Sequence, residues 1–398
     1  MENSKKQRAY RIIMVVVLTA FITFVLTSIL MFKYITENIT SENSNYSNLN
    51  IRLKSYRKLL DQYYLGDIDD EKLEEGAIKG YIDGVGDKYT EYISKDEMKD
   101  YMSDTLGNYT GIGIYMVKNT KYDKVQVLAT IKNGPAEKAG IQAGDIIVKV
   151  DGEEYSADDM TKMANHIKAD AGTKIQLEIL RDGKTLNFDL VTESVKINQV
   201  ESKVLSNNIG YIEFSSFDES TAEDFKTEFE KLQNQKIKSL IIDLRNNGGG
   251  LVDSALKIAD YMTDKGSVLL YEVDKNNNET VKKAESDPII NMPIIILTNE
   301  NTASASEILA GALKDLGKAK TVGTTTYGKG VIQQIINLSD GSGLKVTIRE
   351  YQTPNKTKIN GIGIAPDYEV KLPDDLENQF NIDEDKDTQL QKAIELLK

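Results

Sequence analysis

Residues 298–317 read TNENTASASEILAGALKDLG: three small polar side chains, Thr302, Ser304 and Ser306, then a glutamate, then an apolar helical run. The segment before it, MPIIIL, is a buried-strand pattern, so the whole reads strand, loop, helix. Ser304 and Glu307 fit an S-x-x-E capping box. The same serine is also a candidate nucleophile. On these residues alone both readings stand.

Working outward, the alternation persists. IGYIEFSSF predicts a strand, STAEDFKTEFEKLQNQ a helix, IKSLIIDLRNNGGG a strand ending in glycines, LVDSALKIADYMT a helix, and KTVGTTTYGKGVIQQIINL further strands. Strands alternating with helices imply a layered α/β core with mostly buried strands. In such cores sites gather at the carboxyl ends of strands. Both DLRNNGGG and NENTASAS fall there.

Composition narrows the chemistry. The chain has 398 residues and a formal charge of −13, against the clustered cations a nucleic-acid partner needs. It has no Cys and one His, His166, which excludes disulfides, Cys catalysis and His-rich metal sites. No metal and no cofactor are expected. A Ser-His-Asp triad would require His166, which lies on the amphipathic helix pattern ADDMTKMANHIKA and reads as a helix-surface residue. Any serine nucleophile without it needs another base.

At the amino terminus, Ile12 to Phe32 is uncharged, long enough for a bilayer about 30 Å thick. Lys5, Lys6, Arg8 and Arg11 precede it. The expectation is a cytoplasmic tail over 1–11 and a transmembrane anchor over 12–34. The rest would then be extracytoplasmic, on a single-pass protein of the cell membrane. A cleaved signal peptide is the rival, with no clear cleavage site to favour it. Residues 35–50 read as a polar tether and 51–103 as a helical region, with apolar Leu73, Ala77, Ile78 and Ile82 on one face.

From Tyr109 strands dominate. YTGIGIYMV, KVQVLATI, GPAEKAGIQAGDIIVKVDG and a hairpin through Arg181-Asp182-Gly183 resemble a PDZ domain, assigned to 104–195. The resemblance implies a β-sandwich-like fold with helices. It also makes Gly111, Ile112, Gly113 and Ile114 a carboxylate-binding loop beside an apolar pocket. A peptide with a free apolar carboxyl terminus would add there as a strand.

TASASEI, IIDLRNNGGGL, YGKGVIQQ, YQTP, GIGIAPDYEV and DTQLQKAIELL, in that order, resemble the carboxyl-terminal processing peptidases, S41-type serine proteases of the tail-specific family. The resemblance implies a protease core over 196–372, of ClpP/crotonase-like α/β type, and a carboxyl-terminal segment with a helix over 373–398. It implies Ser304 as nucleophile, Lys329 as general base and Gln333 as the base's support. It implies an oxyanion hole from the N–H groups of Ala305 and of Gly249, chosen over Gly248. An ideal strand would separate Lys329 and Gln333 by roughly 13 Å, so their contact needs a bend. Asp243 and Arg245 are expected to brace the glycine loop by ion pairing, and Ser306 to face away from the site. The expected fold class is therefore multidomain α/β with one amino-terminal transmembrane helix. The expected function is a membrane-anchored serine endopeptidase acting on protein tails. Self-association into a homo-oligomer is compatible with it. The rivals are a catalytically silent PDZ scaffold at the membrane and an acyl-CoA enzyme of related core.

Overall fold

In the computed structural model the described residues are Met14, Thr19, Thr23, Thr27, 44–105, 108–119, 121–131, 133–196, 199–373, Leu376 and 382–398. They divide into two compact units at Gly76–Ala77.

The first unit corrects two expectations. Its long helix, Ser44–Tyr63, begins inside the stretch read as a tether. The apolar 3–4 spacing of Leu49, Leu53, Tyr56 and Leu60 extends upstream, and polar neighbours do not oppose a helix. The transmembrane helix is the second correction to the expected fold class. Among the described residues no helix is long and apolar enough to cross a membrane. Ser44–Tyr63 is long enough but carries Arg52, Lys54, Arg57, Lys58 and Asp61. Such charges cost about 2.5–3.5 kcal/mol each at a bilayer centre. The tail over 1–11 and the anchor over 12–34 lie outside the described residues, apart from Met14, Thr19, Thr23 and Thr27.

In the second unit, strands Ile114–Asn119, Lys124–Thr130, Ile146–Val150, Lys174–Arg181 and Lys184–Val191 form one antiparallel sheet in that order. Helices Pro135–Ala139 and Met160–Ile167 accompany it. Asp182 and Gly183 take φ of 50° and 75°, and Arg181 pairs with Lys184, as a two-residue hairpin loop requires. Ile114–Asn119 is one of the sheet's two edge strands.

The second sheet of the unit explains the α/β pattern. Ile209–Phe214, Ser239–Asp243, Ile294–Thr298, Lys320–Gly323 and Tyr368–Glu369 run parallel, with Val200–Leu205 antiparallel at one edge. Leu240, Ile242, Ile294 and Ile296 pack with Phe225, Ile258 and Ile308 of helices Thr221–Asn234, Val252–Asp260 and Ala305–Asp315. Ile241, Ile295 and Leu297 pack on the other face with Leu390, Ala393 and Ile394 of helix Thr388–Leu396. Burial on both faces is why these strands read as unbroken apolar runs.

Three neighbouring strands, Ser239–Asp243, Ile294–Thr298 and Lys320–Gly323, end side by side. Their outgoing loops carry the glycine run, Ser304 and Lys329 respectively. A separate antiparallel sheet takes Glu91–Ile93, Gly343–Gln352, Val268–Asp274 and Glu279–Lys283 in order, with Val331–Asn337 also on Gly343–Gln352. The short strand at 91–93 has no local signature, because its pairing partner lies some 250 residues on.

Arg245 ties the glycine loop to the carboxyl-terminal helix. Its guanidinium donates to Asp243 Oδ2 at 2.6 Å, and its other arm meets Asp387 at 2.8 Å and Gln389 Oε1 at 3.1 Å. Asp387 is also the helix cap, accepting the Leu390 N–H at 2.9 Å. Asp387→Ala removes both roles. It should lower unfolding free energy by about 1–3 kcal/mol, read as a lower urea midpoint at unchanged slope. An unchanged midpoint would show that the carboxyl-terminal helix does not brace this loop.

Candidate active site

Ser304 sits at the turn between strand Ile294–Thr298 and helix Ala305–Asp315. Its φ and ψ are 57° and −117°. A non-glycine residue there is strained by about 1–3 kcal/mol, and such strain collects at functional sites. Ser304 is indeed the N-cap residue, and the Glu307 carboxylate accepts its N–H at 2.9 Å. The cap reading and the nucleophile reading are therefore compatible. Ser306 is fully buried and donates to the Asn247 carbonyl at 3.0 Å, away from the cavity.

Glu307 does more than cap. It is fully buried, and it also accepts the N–H of Gly328 at 2.8 Å, the N–H of Lys329 at 2.9 Å and the Thr326 hydroxyl at 2.6 Å. Tyr351 closes the other side. Its hydroxyl lies 2.6 Å from the Lys329 carbonyl and 3.0 Å from the Ser304 carbonyl. Burial, and then the charge of Glu307, hold the Tyr351 phenol well above its ordinary pKa, so it stays a donor. Two side chains thus bolt the Ser304 and Lys329 peptide units together.

Ser304, Lys329 and Gln333 line one cavity of about 510 Å³. The Lys329 amine is held below the ordinary lysine pKa, first by burial and then by the positive charge of Lys345. Its Nζ lies 4.7 Å from the centre of the Tyr89 ring. Gln333 donates to Thr347 Oγ1 at 3.4 Å. Lys329 precedes strand Val331–Asn337 rather than lying on it, and a bulge falls between Ile332 and Gln333. The chain thus bends between the two residues, while among the described residues the Gln333 side chain bonds Thr347 and not Lys329.

Gly249 packs directly on Ser304. A Cβ there would lie 2.7 Å from Ser304 Cβ and 2.8 Å from the Ala303 carbonyl, and its φ is 103°. The Gly249 N–H donates to Asn247 Oδ1 at 2.8 Å. Ala305 opens the helix, where N–H groups are unpaired within the helix and the dipole favours negative charge.

The remaining predicted residues lie elsewhere. Gly111 ends a short strand, Gly113 has φ of 76°, and Ile112 and Ile114 are buried in the core of the first sheet domain. His166 bonds Tyr155 Oη at 2.7 Å and Asp151 at 2.9 Å in that domain. Sequence reading missed Tyr351, Asn247, Asp387 and Tyr89, and took Glu307 for a cap alone. A signal for Glu307 existed: an acid at the head of the apolar run ASEILAGAL has to be satisfied where it is buried.

Similarity to known proteins agrees with this geometry. Residues 208–370 match the model of peptidase family S41, 110–192 that of the PDZ domain, and 17–97 that of the activating protease CtpB N-terminal domain. A probable CtpA-like serine protease of Staphylococcus aureus (strain COL) is 33% identical over 382 residues, 93% of this chain and 75% of that one. The chain belongs to peptidase family S41. The carboxy-terminal processing protease CtpA of Bacillus subtilis (strain 168) is 32% identical over 377 residues, 92% of this chain and 78% of that one. Among solved structures, a photosystem II D1 C-terminal processing protease is 32% identical, with a TM-score of 0.50, covering 81% of this chain and 89% of that one. This S41 peptidase is accordingly a carboxy-terminal processing serine protease with a PDZ domain.

Contact between Gly249 and Ser304 leaves no room for a methyl group. Gly249→Ala should lower kcat/KM by about 10²-fold or more, since small misplacement of a reacting group costs that much. Gly248 has open space around its Cβ direction, so Gly248→Ala should cost much less. Equal losses in the two folded variants would contradict the packing role of Gly249.

Proposed function

We propose that Ser304 and Lys329 form the catalytic dyad and that the PDZ domain captures substrate tails. The observation that carries the dyad is the shared carboxylate: Glu307 accepts N–H groups from both Ser304 and Lys329. The two residues sit on the loops after neighbouring strands and line one cavity. The neutral Lys329 amine takes the Ser304 proton as the hydroxyl attacks the scissile carbonyl. The resulting ammonium then protonates the leaving amine. Water hydrolyses the acyl-enzyme by the same relay. The Ala305 N–H stabilises the oxyanion together with a glycine N–H. Gly249 supplies that second donor only once its N–H leaves Asn247 Oδ1. Gln333 steers the lysine from the bulge.

For tail capture, support comes from the edge strand Ile114–Asn119. Its open edge suits an added peptide strand, and the Gly111–Ile114 turn lies at its start. The substrate class is proteins or peptides with free apolar carboxyl termini. A silent scaffold is disfavoured by the depressed Lys329 ionisation and the strained Ser304, which a binding module does not need.

Two tests follow from these assignments. Activity should rise with pH along a single ionisation below the ordinary lysine value of about 10.4, because only the neutral amine accepts a proton. Ser304→Ala and Lys329→Arg should both be inactive, the latter because guanidinium stays charged. A working Lys329→Arg enzyme would remove lysine as base. Separately, full-length Ser304→Ala should bind an apolar-ended peptide acid more tightly than its amide, by about tenfold or more. The lost charge-assisted bonds are worth about 1.5–3 kcal/mol each. Equal affinities would remove the carboxylate-binding role.

A further inference from the structure

The base has a neighbour from the amino-terminal side of the protease. Asp87 accepts the Tyr89 N–H at 3.2 Å and the Thr90 hydroxyl at 2.6 Å, closing a tight turn over 87–90. Thr90 Oγ1 in turn accepts the Thr347 N–H at 3.1 Å. Strand Glu91–Ile93 continues the attachment by pairing with residues 343–345. The turn is therefore stitched to the sheet that carries Gln333. It presents the Tyr89 ring to the Lys329 amine, centroid to Nζ, at 4.7 Å.

We propose that Tyr89 is a positioning residue for the base, its ring holding the Lys329 amine and walling it off from water. This rests on Lys329 acting as the base, and it makes residues 87–93 part of the catalytic centre.

A ring beside an amine acts in two directions. Its face attracts a cation, which favours the ammonium. Its bulk excludes water, which favours the neutral amine. The surroundings decide between them. Lys88 Nζ lies 4.7 Å from the same ring and bonds Tyr327 Oη at 3.1 Å, so a second cation already shares the ring. Lys345, paired with Glu91 at 2.8 Å, adds positive charge from the neighbouring strand. Lys345 and Lys88 oppose the Lys329 ammonium, while Glu91 and Tyr327 favour it. Burial, the largest effect, acts with the two lysines and leaves Lys329 easier to deprotonate than an ordinary lysine. Tyr89 is half-buried with its ring against the amine, so its bulk adds to that burial.

The test is the pH dependence of kcat/KM on a fluorogenic peptide, with the full-length enzyme and its Tyr89→Ala, Tyr89→Phe and Lys329→Ala variants. Tyr89→Ala hydrates the amine. Its profile should move to higher pH by about one unit, a roughly tenfold loss at neutral pH that recovers on the alkaline side. Tyr89→Phe, which keeps the wall, should restore the wild-type profile. Should Tyr89→Ala fail to fold, Tyr89→Gln brings polarity to the same spot at similar bulk and should shift the profile the same way. A profile that superimposes on wild type, or moves to lower pH, would overturn the proposal. So would a loss equal at every pH. Activity in Lys329→Ala would instead strike the base assignment itself. An inactive Lys329→Ala beside an unshifted Tyr89→Ala would refute the role of Tyr89 alone.

Discussion

A carboxylate buried without a cation partner sets the geometry of this protein. Removing such a group from water is expensive unless every lone pair is engaged. Glu307 meets that demand with four donors: three backbone N–H groups and one hydroxyl. Charge-assisted hydrogen bonds contribute about 1.5–3 kcal/mol each, and losing one would leave a buried charge under-satisfied. The donors come from the turn before helix Ala305–Asp315 and from the loop after strand Lys320–Gly323, so neither segment can drift without exposing the charge. Tyr351 applies the same constraint to the carbonyl side.

Around that clamp the fold supplies walls from distant parts of the chain. The glycine loop after Asp243 lies against Ser304 and is braced by Arg245 to the helix at the carboxyl terminus. The turn at 87–90 reaches Lys329 from the opposite end of the sequence. The parallel sheet makes this convergence economical, because adjacent strand ends bring three loops together.

What was legible in the sequence was whatever depends on local pattern or on a motif with a fixed order. The α/β alternation is visible because both faces of the central strands are buried, which writes runs such as SLIID. The hairpin at Asp182-Gly183 is visible because its turn needs positive φ. Ser304 and Lys329 are visible through their motifs, although TASASE alone could not separate a cap from a nucleophile. The structure shows that Ser304 fills the cap position while opening on the cavity. Long-range partners were not legible: Tyr351 and Asp387 stand inside quoted motifs, and Asp387 even offers a local cap signal, but the contacts of Tyr351 with Ser304 and Lys329, of Asp387 with Arg245 and of Tyr89 with Lys329 exist only once remote segments meet. The apolar amino-terminal run lies almost wholly outside the described residues, and the transmembrane helix is not part of the fold they form.

The central claim is that Glu307 holds Ser304 and Lys329 in register. It is tested most directly by the rate at which a fluorophosphonate labels Ser304, mapped by peptide mass, in the wild-type enzyme and in a folded Glu307→Gln variant. Glutamine keeps the shape but replaces one acceptor oxygen with an N–H₂ that faces other donors. Labelling should occur on Ser304 in both proteins and be slower by about 10²-fold in the variant, the cost of a small misplacement of reacting groups. Equal labelling rates in the two proteins would contradict the account.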